Sequence, residues 1–198
     1  MAPSCYPWPV RIAFLGSPEF AVPTLEALAS AHEVVGVVTQ PDRPAGRGRV
    51  STPPPVKAAA LRLGLPVLQP PRLRAPEATA ELARWTPGLI IVAAYGQILR
   101  PEVLELPLHG CLNVHASLLP RWRGASPIPA AILAGDLVTG ITIMQMDAGM
   151  DTGGILAQAP LDIGPDDNAG SLTSRLASLG AALLLDTLPG YMDGRVKP

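Results

Sequence analysis

Apolar residues in this chain come in short runs separated by stretches with helical spacing. Val10-Arg11-Ile12-Ala13-Phe14-Leu15 is one such run, and it stops at Gly16. Val34 to Thr39 is a β-branched run; Leu89 to Ala94 and Gly110 to His115 are two more. Runs of this length, bounded by turn residues, predict buried strands. After the first, Ser17 is placed to cap a helix, with Pro18 at its first position and Glu19 in its first turn. That helix is expected to reach about Ser30 and to bury Phe20, Leu25 and Leu28. The β-α-β alternation predicts an α/β fold, a Rossmann-like and mostly parallel sheet with helices on both faces. Thr139 to Met146 and Ile155 to Ile163 suit two further strands that a meander pairs antiparallel. Leu172, Leu176, Leu179 and Leu183 recur at helical spacing, so Ser171 to about Leu188 reads as a closing amphipathic helix with Asn168 as its cap.

The segment Gln40 to Pro55 breaks this rhythm. It holds Pro41, Pro44, Pro53, Pro54 and Pro55 together with Gly46 and Gly48. Neither helix nor strand is expected at that density of Pro and Gly, so it reads as a long exposed loop. Loops of that length in compact domains are usually functional or disordered. Pro70-Pro71 marks another break. The sequence has no internal repeat and no interdomain linker. Residues 10–198 read as one domain, and residues 1–9 as a poorly ordered N-terminal extension.

Charge changes the picture locally. Lys and Arg number 15 against 16 Asp and Glu, a net charge of −1. Residues 41–74 nevertheless carry Arg43, Arg47, Arg49, Lys57, Arg62, Arg72 and Arg74 against a single acid, Asp42. A positive segment on an acidic body attracts phosphates without a high overall pI. The plainer interpretation is a solvated basic surface. Two cysteines, Cys5 and Cys111, make neither a disulfide framework nor a metal signature, which suits a reducing cytoplasm. Apolar runs fall short of a membrane span, and the first nine residues do not look like a secretory signal.

The chemistry concentrates in the run Leu112-Asn113-Val114-His115-Ala116-Ser117-Leu118-Leu119-Pro120-Arg121-Trp122-Arg123-Gly124. Positions i and i+2 of a strand point to the same side, so Asn113 and His115 face one site where a strand gives way to a loop. A histidine at a strand end is often just a hydrogen-bonded core residue, and the case for His115 rests on Asn113 and the loop. Ser117 to Pro120 has no glycine, so packing or a ligand must order Leu118 and Leu119. A carboxylate, Asp151, follows in the glycine-rich turn Met150-Asp151-Thr152-Gly153-Gly154. Asp147 lies close by, and spacing alone does not choose between the two. Gly16-Ser17-Pro18-Glu19-Phe20 lacks the dinucleotide glycine pattern, so nicotinamide or flavin binding is unsupported. His32 and His109 read as surface or turn residues.

Four segments carry a resemblance that extends from about Arg11 to Pro198. They are Thr39 to Gly48, Ala93-Ala94-Tyr95-Gly96, Asn113 to Gly124, and Thr142 to Gly153. With them the chain resembles the N-terminal catalytic domain of methionyl-tRNA formyltransferases. The Asn-x-His-x-Ser-Leu-Leu-Pro element is common to folate-dependent formyltransferases at large and fixes the acceptor poorly. The resemblance implies that Asn113, His115 and Asp151 are catalytic, with Asp151 orienting His115. It implies that Ser117, Leu118, Leu119 and Pro120 bind folate, that Tyr95 and Gly96 wall the pterin pocket, and that Arg43, Arg47 and Arg49 sit in a loop contacting tRNA. The implied co-substrate is 10-formyltetrahydrofolate, without a metal. The implied partner is initiator methionyl-tRNA, met by a cytoplasmic monomer. The alternatives are transfer to an amino-sugar nucleotide or another small amine, and a non-catalytic fragment that binds folate or RNA. Two departures stand out. Pro129 replaces the family's usual Gln, in a first helical turn that tolerates it, and this sequence ends before the family's second, OB-like domain.

Overall fold

The computed structural model of the chain describes residues 10–45 and 50–198. The expectation for residues 1–9 and the proposed contacts of Arg47 and Arg49 lie outside the described residues. The strands are β1 (Arg11–Gly16), β2 (Glu33–Val38), β3 (Arg43–Ala45), β4 (Val50–Thr52), β5 (Val67–Leu68), β6 (Leu89–Ala93), β7 (Cys111–His115), β8 (Val138–Gln145) and β9 (Ile155–Asp162). The helices are α1 (Val22–Ala31), α2 (Pro55–Arg62), α3 (Pro76–Arg84), α4 (Pro101–Leu104), α5 (Pro127–Leu133) and α6 (Ala169–Met192).

Seven strands form one sheet in the order β5-β2-β1-β6-β7-β8-β9. The pairs from β5 to β7 are parallel, and β8 and β9 add antiparallel, as their meander spacing predicted. The central strands are apolar throughout because both faces are covered. On one face Ile12, Phe14, Leu89, Ile91, Leu112 and Val114 pack with Leu25, Leu28, Leu172, Leu176 and Leu184 of α1 and α6. On the other, Ala13, Leu15, Ile90, Val92 and Cys111 meet Leu73, Leu82, Leu99 and Val103. The chain runs from β1 outward to β2 and returns on the far side to β6, so the carboxyl ends of β1 and β6 face a topological switch, where open α/β sheets bind ligands.

Three expectations are corrected. Ser17 caps no helix: Pro18 precedes a 3-10 turn at Glu19–Ala21, and α1 starts at Val22. The Ser17 hydroxyl instead donates to the Tyr95 carbonyl at 3.4 Å and accepts from the Gln40 amide at 3.1 Å. The Gln40–Pro55 stretch is not wholly irregular either. β3 pairs antiparallel with β4, Pro44 opposite Ser51, and Pro55 opens α2. In a two-stranded ribbon each strand keeps an outward edge, where Pro forfeits no ladder bond, and at a first helical position its missing N–H is no loss. The closing helix, capped by Asn168 as expected, begins at Ala169 and continues to Met192.

Candidate active site

Alternation along β7 builds the site. Leu112 and Val114 enter the core under α1 and α6, so Cys111, Asn113 and His115 share the opposite face. Cys111 is covered there, its thiol beside the carbonyls of Val103 and Leu104. Burial pushes that thiol up to about 12, so it supplies no thiolate nucleophile. The next two residues on that face are polar, and loops rather than a helix cover them. Asn113 is 9 % exposed and His115 6 %.

Asp151 enters from the turn between β8 and β9. Its Oδ1 accepts from Asn113 Nδ2 at 3.3 Å, and its Oδ2 accepts from the Gly124 amide at 2.8 Å. The same Oδ2 stands 3.7 Å from His115 Nδ1, an ion-pair distance rather than a hydrogen bond. Asp147 turns away and accepts from the Gly149 amide and the Thr152 hydroxyl. The structure thus gathers Asn113, His115 and Asp151 and leaves Asp147 outside. The turn is tight enough to demand glycine: a Cβ on Gly153 would lie 1.8 Å from the Gln145 carbonyl oxygen.

His115 is oriented from its other nitrogen. Nε2 lies 3.0 Å from the carbonyl oxygen of Trp122. A carbonyl only accepts, so Nε2 carries the proton, and in the neutral ring Nδ1 presents its lone pair toward Asp151. The ring is thus held from the Trp122 side, with the Asp151 carboxylate opposite Nδ1. Trp122 has φ of 57° and Asp151 φ of 51°, both left-handed, and Ala94 at the end of β6 has φ of 47°. Such residues cost about 1–3 kcal/mol each and persist where their surroundings hold them.

Packing and hydrogen bonds order the loop after β7. The buried Ser117 hydroxyl donates to the Arg121 carbonyl at 2.6 Å. Thr142, opposite His115 on β8, donates to the Ser117 carbonyl at 2.6 Å and accepts from the Leu119 amide at 3.1 Å. Gln158, opposite Thr142 on β9, donates to the Leu119 carbonyl at 3.0 Å. Leu119 is buried, Leu118 half-buried and Pro120 exposed.

Residues 10–188 match the family described as Formyl transferase. The chain belongs to the formyl transferase family. Among curated formyl transferases, it is 57 % identical over 189 residues to the methionyl-tRNA formyltransferase of Chloroflexus aggregans, covering 95 % of this chain and 61 % of that protein. It is 53 % identical over 188 residues to that of Myxococcus xanthus, covering 95 % and 60 %. The chain therefore spans about 60 % of the length of these curated relatives. A solved phosphoribosylglycinamide formyltransferase from Bacillus halodurans superposes with a TM-score of 0.75 at 26 % identity, over 90 % of this chain and 93 % of that one.

The structure also places the other positions that the sequence singled out. Tyr95 is buried and its hydroxyl has no partner among the described residues, while Gly96 has φ of 81°. Arg43 is exposed on the β3–β4 ribbon, its guanidinium 3.4 Å from Gln40 Oε1. Lys57 pairs with Asp42, and Arg62 with Glu26. Arg72 and Arg74 join Arg100 in lining a cavity of about 860 Å3 beside the starts of α3 and α4. Pro129 sits in the first turn of α5, which forms regardless. Among the described residues, no three His, Cys, Asp or Glu side chains gather as a metal site, and no helix is long and apolar enough to cross a membrane. Sequence reasoning missed Trp122, Asp136, Thr142 and Gln158 as supports of the site. The period-2 register of β7, β8 and β9 was the signal that would have placed Thr142 and Gln158 beside His115.

Proposed function

We propose that this chain is the catalytic unit of a methionyl-tRNA formyltransferase, moving the formyl group of 10-formyltetrahydrofolate to the α-amine of methionine on initiator tRNA. The convergence of Asn113, His115 and Asp151 at the carboxyl end of β7 is the observation that carries the reading. The identity to curated methionyl-tRNA formyltransferases supports this choice of acceptor. The same reading takes residues 10–198 as one domain working as a cytoplasmic monomer.

In this mechanism the amine attacks the formyl carbon and a tetrahedral oxyanion forms. Asn113 spends one N–H on Asp151 and keeps the other for that oxygen. Losing such a donor typically costs about 2.7–4 kcal/mol of barrier. Nδ1 of His115 takes the proton that the attacking nitrogen sheds, and the nearby carboxylate stabilises the imidazolium. The proton then passes to N10 of the folate as the bond from that nitrogen to carbon breaks. The new amide bond and the released tetrahydrofolate balance the reaction, with no covalent enzyme intermediate. Leu118 and Pro120 remain available to folate; the Ser117 hydroxyl and the Leu119 backbone serve the loop itself. Arg43 on the ribbon, in the basic segment that also holds Arg72 and Arg74, supports attraction of a polyanionic acceptor.

The test is incubation with 10-formyltetrahydrofolate and either charged initiator tRNA, an amino-sugar nucleotide or glycinamide ribonucleotide. Formylation of the tRNA amine is the expected result. Formylation of a small amine alone would favour that acceptor class, and binding without turnover would leave a non-catalytic module. Arg43→Ala should weaken use of tRNA, most strongly at low salt and less as salt rises, and leave folate binding unchanged.

A further inference from the structure

Asp136 lies in the turn between α5 and β8, its amide donating to the Ala131 carbonyl at 3.0 Å. Its carboxylate is largely buried, and both oxygens are occupied. Oδ2 accepts from the indole Nε1 of Trp122 at 2.6 Å and from Arg121 Nε at 2.9 Å; Oδ1 accepts from Arg121 Nη2 at 2.6 Å. The Arg121 guanidinium lies over the Trp122 ring, 4.4 Å from its centroid. The indole is therefore fixed at its edge by an anion and on its face by a cation. The Arg121 fork, and then the Trp122 N–H, hold the Asp136 carboxyl below the usual range, so it meets the indole as an anion.

That clamp has a target. Trp122 is left-handed, a conformation a bulky residue does not choose unaided. Its peptide orientation is what brings its carbonyl to His115 Nε2. A released indole would let the backbone relax toward the right-handed region and swing the carbonyl away. His115 Nε2 would then lose its acceptor, while Asp151 Oδ2 stays opposite Nδ1. The proton would move to Nδ1, the nitrogen that must be bare to receive it from the amine.

We propose that Asp136 is a positioning residue for formyl transfer: by clamping the Trp122 indole it keeps the Trp122 carbonyl on His115 Nε2 and so leaves the Nδ1 lone pair facing the site. The proposal rests on the formyl-transfer reading and adds the device that sets its base. Arg121 shares the clamp and stacks on the indole. Ser117 reinforces it, its hydroxyl reaching the Arg121 carbonyl at 2.6 Å and lying 3.5 Å from the Trp122 carbonyl.

The experiment is two-dimensional 1H–15N spectroscopy of the imidazole nitrogens of the whole chain, at a pH above the imidazole range, beside steady-state kinetics. The chain has three histidines, and His115→Gln assigns the signal by its loss. The wild type should show His115 protonated at Nε2. Asp136→Ala should move the signal toward the Nδ1–H form and lower kcat about 10- to 100-fold, with KM for the formyl donor little changed. Trp122→Phe keeps an aromatic face for Arg121 but lacks the N–H that reaches Asp136, so it should give the same shift if Asp136→Ala does not fold. Asp136→Glu, which retains the charge, should restore part of kcat and part of the Nε2–H signal. Unchanged kcat in both variants, or a fall in kcat with the Nε2–H form intact, would overturn the proposal. A wild type with the expected tautomer that formylates no acceptor would instead sink the functional reading.

Discussion

Gln158 on the edge strand β9 donates from one nitrogen to Thr142 Oγ1, at 2.9 Å, and to the Leu119 carbonyl, at 3.0 Å. With its proton given to Ser117 and its lone pairs taken by Leu119 and Gln158, the Thr142 hydroxyl is fully used. Thr142 is a staple between the sheet and the loop, with nothing left for substrate.

Thr142→Val keeps the shape and removes the staple. It strands the buried Leu119 amide and Ser117 carbonyl, so stability should fall by about 2–3 kcal/mol, the penalty of buried unpaired groups. Thr142→Ser keeps the hydroxyl and should cost well under half of that. Denaturant unfolding of the two variants checks this, and equal losses would remove the hydroxyl from the account.

Asp151→Asn places an amide where the carboxylate now accepts from Gly124 and Asn113. Donor meets donor, and the charge opposite His115 disappears. The rate of formyl transfer should fall by about 10²- to 10⁴-fold, the usual weight of a proton-transfer group. Asp147→Asn disturbs only the turn bonds to Gly149 and Thr152 and should leave the rate near wild type. Single-turnover assays of the pair separate the two carboxylates that spacing alone could not.

Cys111 predicts an alkaline limb in stability. Its thiol ionises near 9 when unfolded and, desolvated by burial, only at about 12 in the fold. Between those values the unfolded chain holds fewer protons, so stability is lost as pH rises. One such group contributes up to about 1.4 kcal/mol per pH unit. Tyr95, whose phenol burial also raises, steepens the limb further up. Cys111→Ala should flatten the decline between roughly pH 9 and 11. Denaturant melts across that range would show it, and a parallel profile would count against it.

Asn168 closes the first turn of α6, accepting from the amides of Gly170 and Ser171 while Ser171 accepts from the Asn168 amide. Asn168→Ala should cost about 1 kcal/mol. A thermal unfolding shift below experimental error would mean that tertiary contacts, not the cap, hold that helix end.

The long apolar runs and the Asn113–His115 spacing were legible in sequence because burial on both faces and strand alternation leave strong periodic marks. The helices α2 and α3 were not, since their Pro starts read as breaks and their Ala-rich bodies carry few large apolar residues. The β3–β4 ribbon was hidden by its prolines, which read as breakers until the ribbon's open edges are known. The choice of Asp151 over Asp147 needed the left-handed turn that aims one carboxylate inward. The hold of Trp122 on His115 depends on a backbone angle, to which residue type is a poor guide.

One knot of polar groups fills the split between the first crossovers. Ser17, Gln40 and the Tyr95 carbonyl lace together the tips of β1, β2 and β6. Where dinucleotide folds leave a doorway for a pyrophosphate, this sheet has a drawn seam. The amide and the imidazole of the proposed site sit one strand away, at the end of β7.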